Sequence, residues 1–251
     1  MNDFRRGLVA SAATICGLAL LVACSKGNGV TTPSQSQTPS PSTGASQPTY
    51  DVDAIGVPKI ATSDYIDLSS IGRISKFRSS EGHDYHDDFE SCRSMKHYFE
   101  PKASVEWASV RITSPVQGTV ALTRDDFVGK QIVIQSFAFP AFTFILFHVN
   151  PSVSIANGTP YSSGQPLGTH IGTQTMSDIA VGVATPTGYK LVSWFDVMSD
   201  AVYQGYAARG IGARTSAIIS RVSRDGDPLT CSGDTFTTQG TLANWLSLSG
   251  G

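Results

Sequence analysis

Between Ser80 and Ser91 the chain concentrates groups that bind protons and metal ions. His83 and His86 lie among Glu81, Asp84, Asp87, Asp88 and Glu90. Imidazole nitrogen and carboxylate oxygen are both zinc donors, and carboxylate-rich sets also suit harder divalent ions. The plainer reading of the same stretch is an acidic, solvated loop whose histidines make local salt bridges. His97 is a further nitrogen donor close by in sequence. His148 follows six mostly apolar residues, a setting that suits a satisfied core or rim histidine as well as a functional one. Serines are abundant, but no G-x-S-x-G occurs and no nucleophile arrangement is visible. Trp194, Phe195, Tyr203 and Tyr206 could line a glycan groove, although aromatics at these spacings are more often core. Arg209, Arg214, Arg221 and Arg224 form a scattered basic set that would face an anionic polymer or solvent.

Any such site needs a frame, and the frame reads as β-structure. Val116, Gly118, Val120 and Leu122 alternate with Gln117, Thr119, Ala121 and Thr123, a period of two with one apolar face. Lys130–Phe137 is a second predicted strand. Ala141–Val149 is too apolar for a one-sided strand and should be central. Asp178–Thr185 and Lys190–Val197 are two more. Pro115, Gly129, Pro140, Asn150-Pro151, Asn157-Gly158 and Thr187-Gly188 mark the turns between them. A helix fits Asp200–Arg209, with Gly210 as its cap, and Thr215–Val222 reads equally as helix or strand. The fold class expected is mainly β, antiparallel, with a few short helices near the C-terminus.

Three local patterns follow one another in the chain: Gly82–Phe89 (GHDYHDDF), Ser114–Val120 (SPVQGTV) and Asn157–Gly168 (NGTPYSSGQPLG), with His148 just ahead of the third. Together they resemble the lysostaphin-type peptidoglycan endopeptidases, zinc peptidases built on the duplicated hybrid motif. The resemblance covers His83 to Val183. It implies an antiparallel sheet or sandwich of that type. It also implies that His83 and Asp87, as the H-x-x-x-D pair, are metal ligands. His148 would be the catalytic histidine closing the central strand. The family's last motif, H-x-H, falls on Asp178-Ile179-Ala180, so Asp178 becomes the third ligand and Ala180 replaces a group that moves protons.

Those departures have consequences. A hydrolytic zinc needs three protein ligands, an open position for water and a base. One His with two Asp ligands favours Ca²⁺, Mn²⁺ or Mg²⁺ over Zn²⁺. Losing a general base costs about 10²–10⁴-fold. Weak peptidase activity or none is therefore expected, with Zn²⁺ or another divalent cation as the implied cofactor. The active alternative, a metal-dependent endopeptidase, would use His83, Asp87 and Asp178 with His148 or His86 as base.

The first fifty residues address the chain. Arg5 and Arg6 precede an uncharged, apolar or small stretch from Gly7 to Ala23, the layout of a secretory signal. It ends Leu21-Val22-Ala23-Cys24, which resembles the lipobox of bacterial lipoproteins. That implies cleavage of residues 1–23, lipid on Cys24, and an anchor of several acyl chains. Ser25, rather than Asp, after the cysteine resembles outer-membrane lipoproteins where the source has two membranes. Residues 24–49, almost entirely Ser, Thr, Pro, Gln and Gly, cannot bury enough apolar surface to order themselves. They read as a disordered tether with a reach of about 25–30 Å. Residues 50–251 form the globular part.

Without residues 1–23 the chain keeps 16 Lys+Arg and 19 Asp+Glu, a net charge of −3. No basic field exists to hold nucleic acid. Of four cysteines, Cys16 leaves with the signal and Cys24 takes lipid. Cys92 and Cys231 remain, an even pair in an oxidising compartment, and should form a disulfide. The expected partners are the membrane, through the lipid, and peptidoglycan or an envelope protein. A plain surface scaffold is the third reading.

Overall fold

The computed structural model describes residues 48–250. The expected signal peptide, Cys24 and most of the tether lie outside the described residues. In chain order the first strands are β1 (Ile71–Ser75), β2 (His97–Pro101), β3 (Arg111–Thr113), β4 (Gly118–Asp125), β5 (Lys130–Ser136) and β6 (Phe142–Pro151). They continue with β7 (Pro160–Tyr161), β8 (Pro166–His170), β9 (Ser177–Thr185), β10 (Gly188–Val192), β11 (Cys231–Ser232), β12 (Thr235–Phe236) and β13 (Trp245–Ser247). The helices are short: α1 (Val52–Ile55), α2 (Trp194–Val197), α3 (Asp200–Ala207) and α4 (Arg221–Gly226). The main sheet runs β13-β1-β2-β9-β6-β5-β4-β7; β10 lies beside β9, and β8 joins β6 to β3. Its strand pairs are antiparallel. The protein is thus mainly β with a few short helices.

β6 is central and apolar on both faces because each face has its own core. Successive side chains of a strand point to opposite sides. Phe142, Phe144 and Leu146 join Ile132, Ile134, Ile179, Val181 and Val183 in the larger core. Ile145 and Phe147 join Val133, Ala180, Phe77, Met95 and Leu191 in a smaller one. Asp178, two residues before Ala180, shares this second face and is fully buried. Two motif glycines are explained by close backbone approach. A Cβ on Gly118 would run into the Gln135 carbonyl oxygen, and one on Gly168 into that of Asn150.

Two expectations need correcting. The predicted strand Lys190–Val197 stops at Val192. Ser193 caps α2 instead, its hydroxyl accepting from the Phe195 amide at 3.1 Å, and Trp194, Phe195 and Val197 turn into the larger core. An apolar run suits a short buried helix as well as a strand, and the capping serine decides between them. Thr215–Val222 is neither one helix nor one strand. A 3-10 turn over Arg214–Ala217 is followed by a single bridge from Ile218 to Phe77 and then by α4, capped by Ser220. α3 begins where expected, capped by Ser199. The Cys92–Cys231 disulfide is formed, with Cα atoms 5.7 Å apart, and closes a loop of 139 residues.

Candidate functional site

The loop between β1 and β2 carries the His-rich stretch, and β9 and β6 carry its distant partners. His83 donates from Nδ1 to the Asp84 carbonyl at 2.9 Å, which leaves Nε2 as an acceptor. That nitrogen lies 3.2 Å from the Lys96 ammonium. Lys96 is 2% exposed. Tyr98, two residues along on the same face, pairs with Asp178 across β2 and β9. This register brings Lys96 Nζ to within 2.5 Å of Asp178 Oδ2. The other oxygen of Asp178 is 3.2 Å from Nε2 of His148. His148 is turned by its Nδ1, which faces the Val128 carbonyl at 3.1 Å and Asp126 at 3.4 Å. A chain of contacts therefore runs His83–Lys96–Asp178–His148.

The Lys96 ammonium is boxed by rings as well. It lies 4.2 Å from the Phe147 ring centre and 5.0 Å from those of Tyr85 and Tyr98. Burial alone would favour loss of its proton. The Asp178 carboxylate and the Tyr98 hydroxyl more than offset this and lift its pKa above the ordinary lysine value. Burial, reinforced by the Lys96 charge, pushes the His83 imidazole the other way, below its usual pKa. Neutral His83 beside charged Lys96 is the consistent state.

His148 reaches Asp178 by an irregularity. Its φ is +58°, left-handed backbone for a non-glycine residue inside a strand. The β5–β6 register slips nearby, between Lys130 and Ile132. Ile145 and Phe147 face the smaller core, but Val149, of the same parity, is in the larger one. The bulge reverses the alternation at His148. Such residues cost about 1–3 kcal/mol and cluster at functional sites.

Asp87 does not join this group. Its Oδ1 accepts from the amides of Phe89 (2.9 Å) and Glu90 (3.0 Å), and its Oδ2 from that of Leu191 (2.9 Å). Its carboxylate stitches the loop to β10, and burial raises its pKa despite those donors. His86 pairs with Asp84 at 3.0 Å near the surface. His97 is buried, donating from Nδ1 to the Ser75 carbonyl and accepting at Nε2 from the Ser193 hydroxyl, both at 2.8 Å, and burial pushes its pKa down to about 4. Ala180 packs in the smaller core and has no proton to move. Among the described residues no three His, Cys, Asp or Glu side chains are arranged to hold a metal ion. The donors present do not fit one as they stand: an ammonium stands between His83 and Asp178, and Asp87 is committed to backbone.

Comparison with protein-family models, with curated proteins and with solved structures finds no match to this chain.

Beside the histidine loop an open groove of about 550 Å³ is lined by His86, Asp88, Phe89, Glu90, Arg93 and Arg221, among others. Its wall is braced. Glu90 is held by Arg78 (2.6 Å) and Arg93 (2.8 Å), Arg93 also reaches Asp225 (2.9 Å), and Cys92 is tied to Cys231. Arg221 keeps over half of its side chain exposed. The other three arginines of the basic set are braces. Arg209 donates to the Ile71 carbonyl, Arg214 to those of Phe195 and Met198, and Arg224 to that of Arg78. Trp194, Phe195 and Tyr206 are core residues, and Tyr203 donates to the Ile211 carbonyl at 2.9 Å. Sequence reasoning missed Lys96 and the buried His170. The only cue to Lys96 is a lone charge in the run Met95–Phe99, a cue shared by many surface lysines.

Proposed function

We propose that this chain is a lipid-anchored envelope protein whose β domain is related to the lysostaphin-type peptidases and acts by binding rather than by hydrolysis. One observation supports the non-hydrolytic reading: the Lys96 ammonium lies between His83 Nε2 and Asp178 Oδ2, where a metal would need both. A hydrolytic ion also needs a third ligand, an open position and a base. Asp87 and Ala180 supply neither ligand nor base here. The lipobox-like Cys24 and the tether place the domain within a few nanometres of a membrane. The source membrane is the outer one where there are two.

The favoured ligand is peptidoglycan, with an envelope protein as the alternative. The groove beside the disulfide has charges of both signs and one aromatic ring, a lining that suits a polymer of sugars and short charged peptides.

The mature chain should sediment with purified cell walls, and Arg221→Glu should weaken that retention severalfold, as rim charges do. Cys24→Ala should abolish incorporation of labelled palmitate. Elemental analysis should find no stoichiometric zinc. Turnover of cell-wall peptide together with zinc lost on His83→Ala would establish the hydrolase instead. Neither retention nor turnover would leave a scaffold.

A further inference from the structure

We propose that Lys96 is the domain's built-in cation, a side-chain ammonium that holds His83 and Asp178 together and makes the fold independent of any metal ion. The enclosure is complete enough to be a cation site in its own right. A carboxylate oxygen at 2.5 Å and an imidazole nitrogen at 3.2 Å supply acceptors, and three aromatic rings supply faces. The ligand that fills it belongs to the chain.

Charge balance explains why an ammonium suits this place. One carboxylate, Asp178, contacts the cation, and the His83 nitrogen beside it brings no second carboxylate. A single positive charge closes the account, whereas a divalent ion would leave an excess buried among Tyr85, Tyr98 and Phe147. An ammonium also donates along discrete N–H directions and draws on ring faces. Removing it would leave Asp178 buried with His148 as its remaining contact and with its second oxygen exposed to the space beside His83. Two imidazole nitrogens and a carboxylate are zinc's own donor types. The vacated position is then a latent divalent site. This holds whatever the domain binds, and so stands apart from the preceding reading.

The experiment uses the full mature chain, its Lys96→Ala variant and the Lys96→Ala/His83→Ala double variant, each melted with zinc chloride and with EDTA. The wild-type midpoint should respond to neither. Lys96→Ala should melt about 10 °C lower, because a buried carboxylate loses its partner. Zinc should recover a good part of that loss, and the double variant should not recover it. A folded Lys96→Ala chain indifferent to zinc overturns the proposal, as does a wild-type midpoint lowered by EDTA. If Lys96→Ala does not fold, nitrogen-detected NMR of the wild-type ammonium decides. A slowly exchanging Lys96 signal unchanged by excess zinc supports the proposal. Its displacement by one zinc per chain, abolished by His83→Ala, refutes it.

Discussion

Asp64 is a carboxyl held in place by its neighbours. It accepts from the Tyr206 hydroxyl at 2.7 Å, and Tyr206 in turn accepts from the Trp194 indole at 3.2 Å. Burial raises its pKa to about 7, outweighing the hydrogen bonds that favour the charged form. The native state therefore binds a proton between roughly pH 4 and 7 that the unfolded chain has already released. Stability from this group is full below the unfolded value and is lost as pH rises through about 7. Melting midpoints should accordingly fall across that window, and Asp64→Asn should flatten the curve there. A variant whose slope matches the parent's would show that Asp64 titrates normally. Lys96 argues from the opposite sign. Lys96→Met keeps the stem and removes the charge, leaving Asp178 uncompensated in the smaller core. A buried pair broken on one side costs about 3–5 kcal/mol, which urea titration would read as a lower midpoint at unchanged m-value.

The irregular strand β6 carries the histidine that touches Asp178. Glycine adopts the φ of +58° found at His148 without the Cβ penalty. His148→Gly should therefore be more stable than His148→Ala by about 1 kcal/mol, although both lose the ring's contacts with Asp178 and Asp126. Equal stabilities would mean that the bulge relaxes once the imidazole is gone. The left-handed residues Arg78 and Cys92 stand in the histidine loop itself. There Arg78 reaches Glu90, and Cys92 is tied to Cys231. Element geometry is unusual on both sides of the site and regular in β9, which lies between β2 and β6.

For the molecule as a whole, the disulfide joins the histidine loop to the C-terminal segment that carries α4 and the β11–β12 hairpin. Closing a loop of 139 residues restricts the unfolded chain more than the folded one. Cys92→Ser with Cys231→Ser should cost about 2–5 kcal/mol and loosen the groove wall next to Arg93. Chemical denaturation in the presence and absence of reductant measures the first. Amide exchange over residues 84–96 measures the second. Unaltered exchange there would show that the Arg78–Glu90–Arg93 network suffices to hold the wall. No helix among the described residues is long and apolar enough to cross a membrane. The proposed attachment rests on Cys24.

Period-two patterning located β4, β5, β6 and β9, because alternation and apolar runs are local properties of a chain that must bury one face or both. The cysteine count pointed to the disulfide for a similar reason: with Cys16 assigned to the expected signal and Cys24 to the expected lipid, Cys92 and Cys231 were the pair left over, and they are bonded. Close backbone contact, seen only in the structure, accounts for the motif glycines Gly118 and Gly168. The site was legible only in part. His83, His148 and Asp178 do converge, but Lys96 stands among them and Asp87 turns away to three backbone amides. Which residue enters that space depends on the register of β2 against β9 and on a one-residue bulge in β6. Those are decided by packing between segments far apart in sequence, where a one-residue slip moves a side chain from one core to the other.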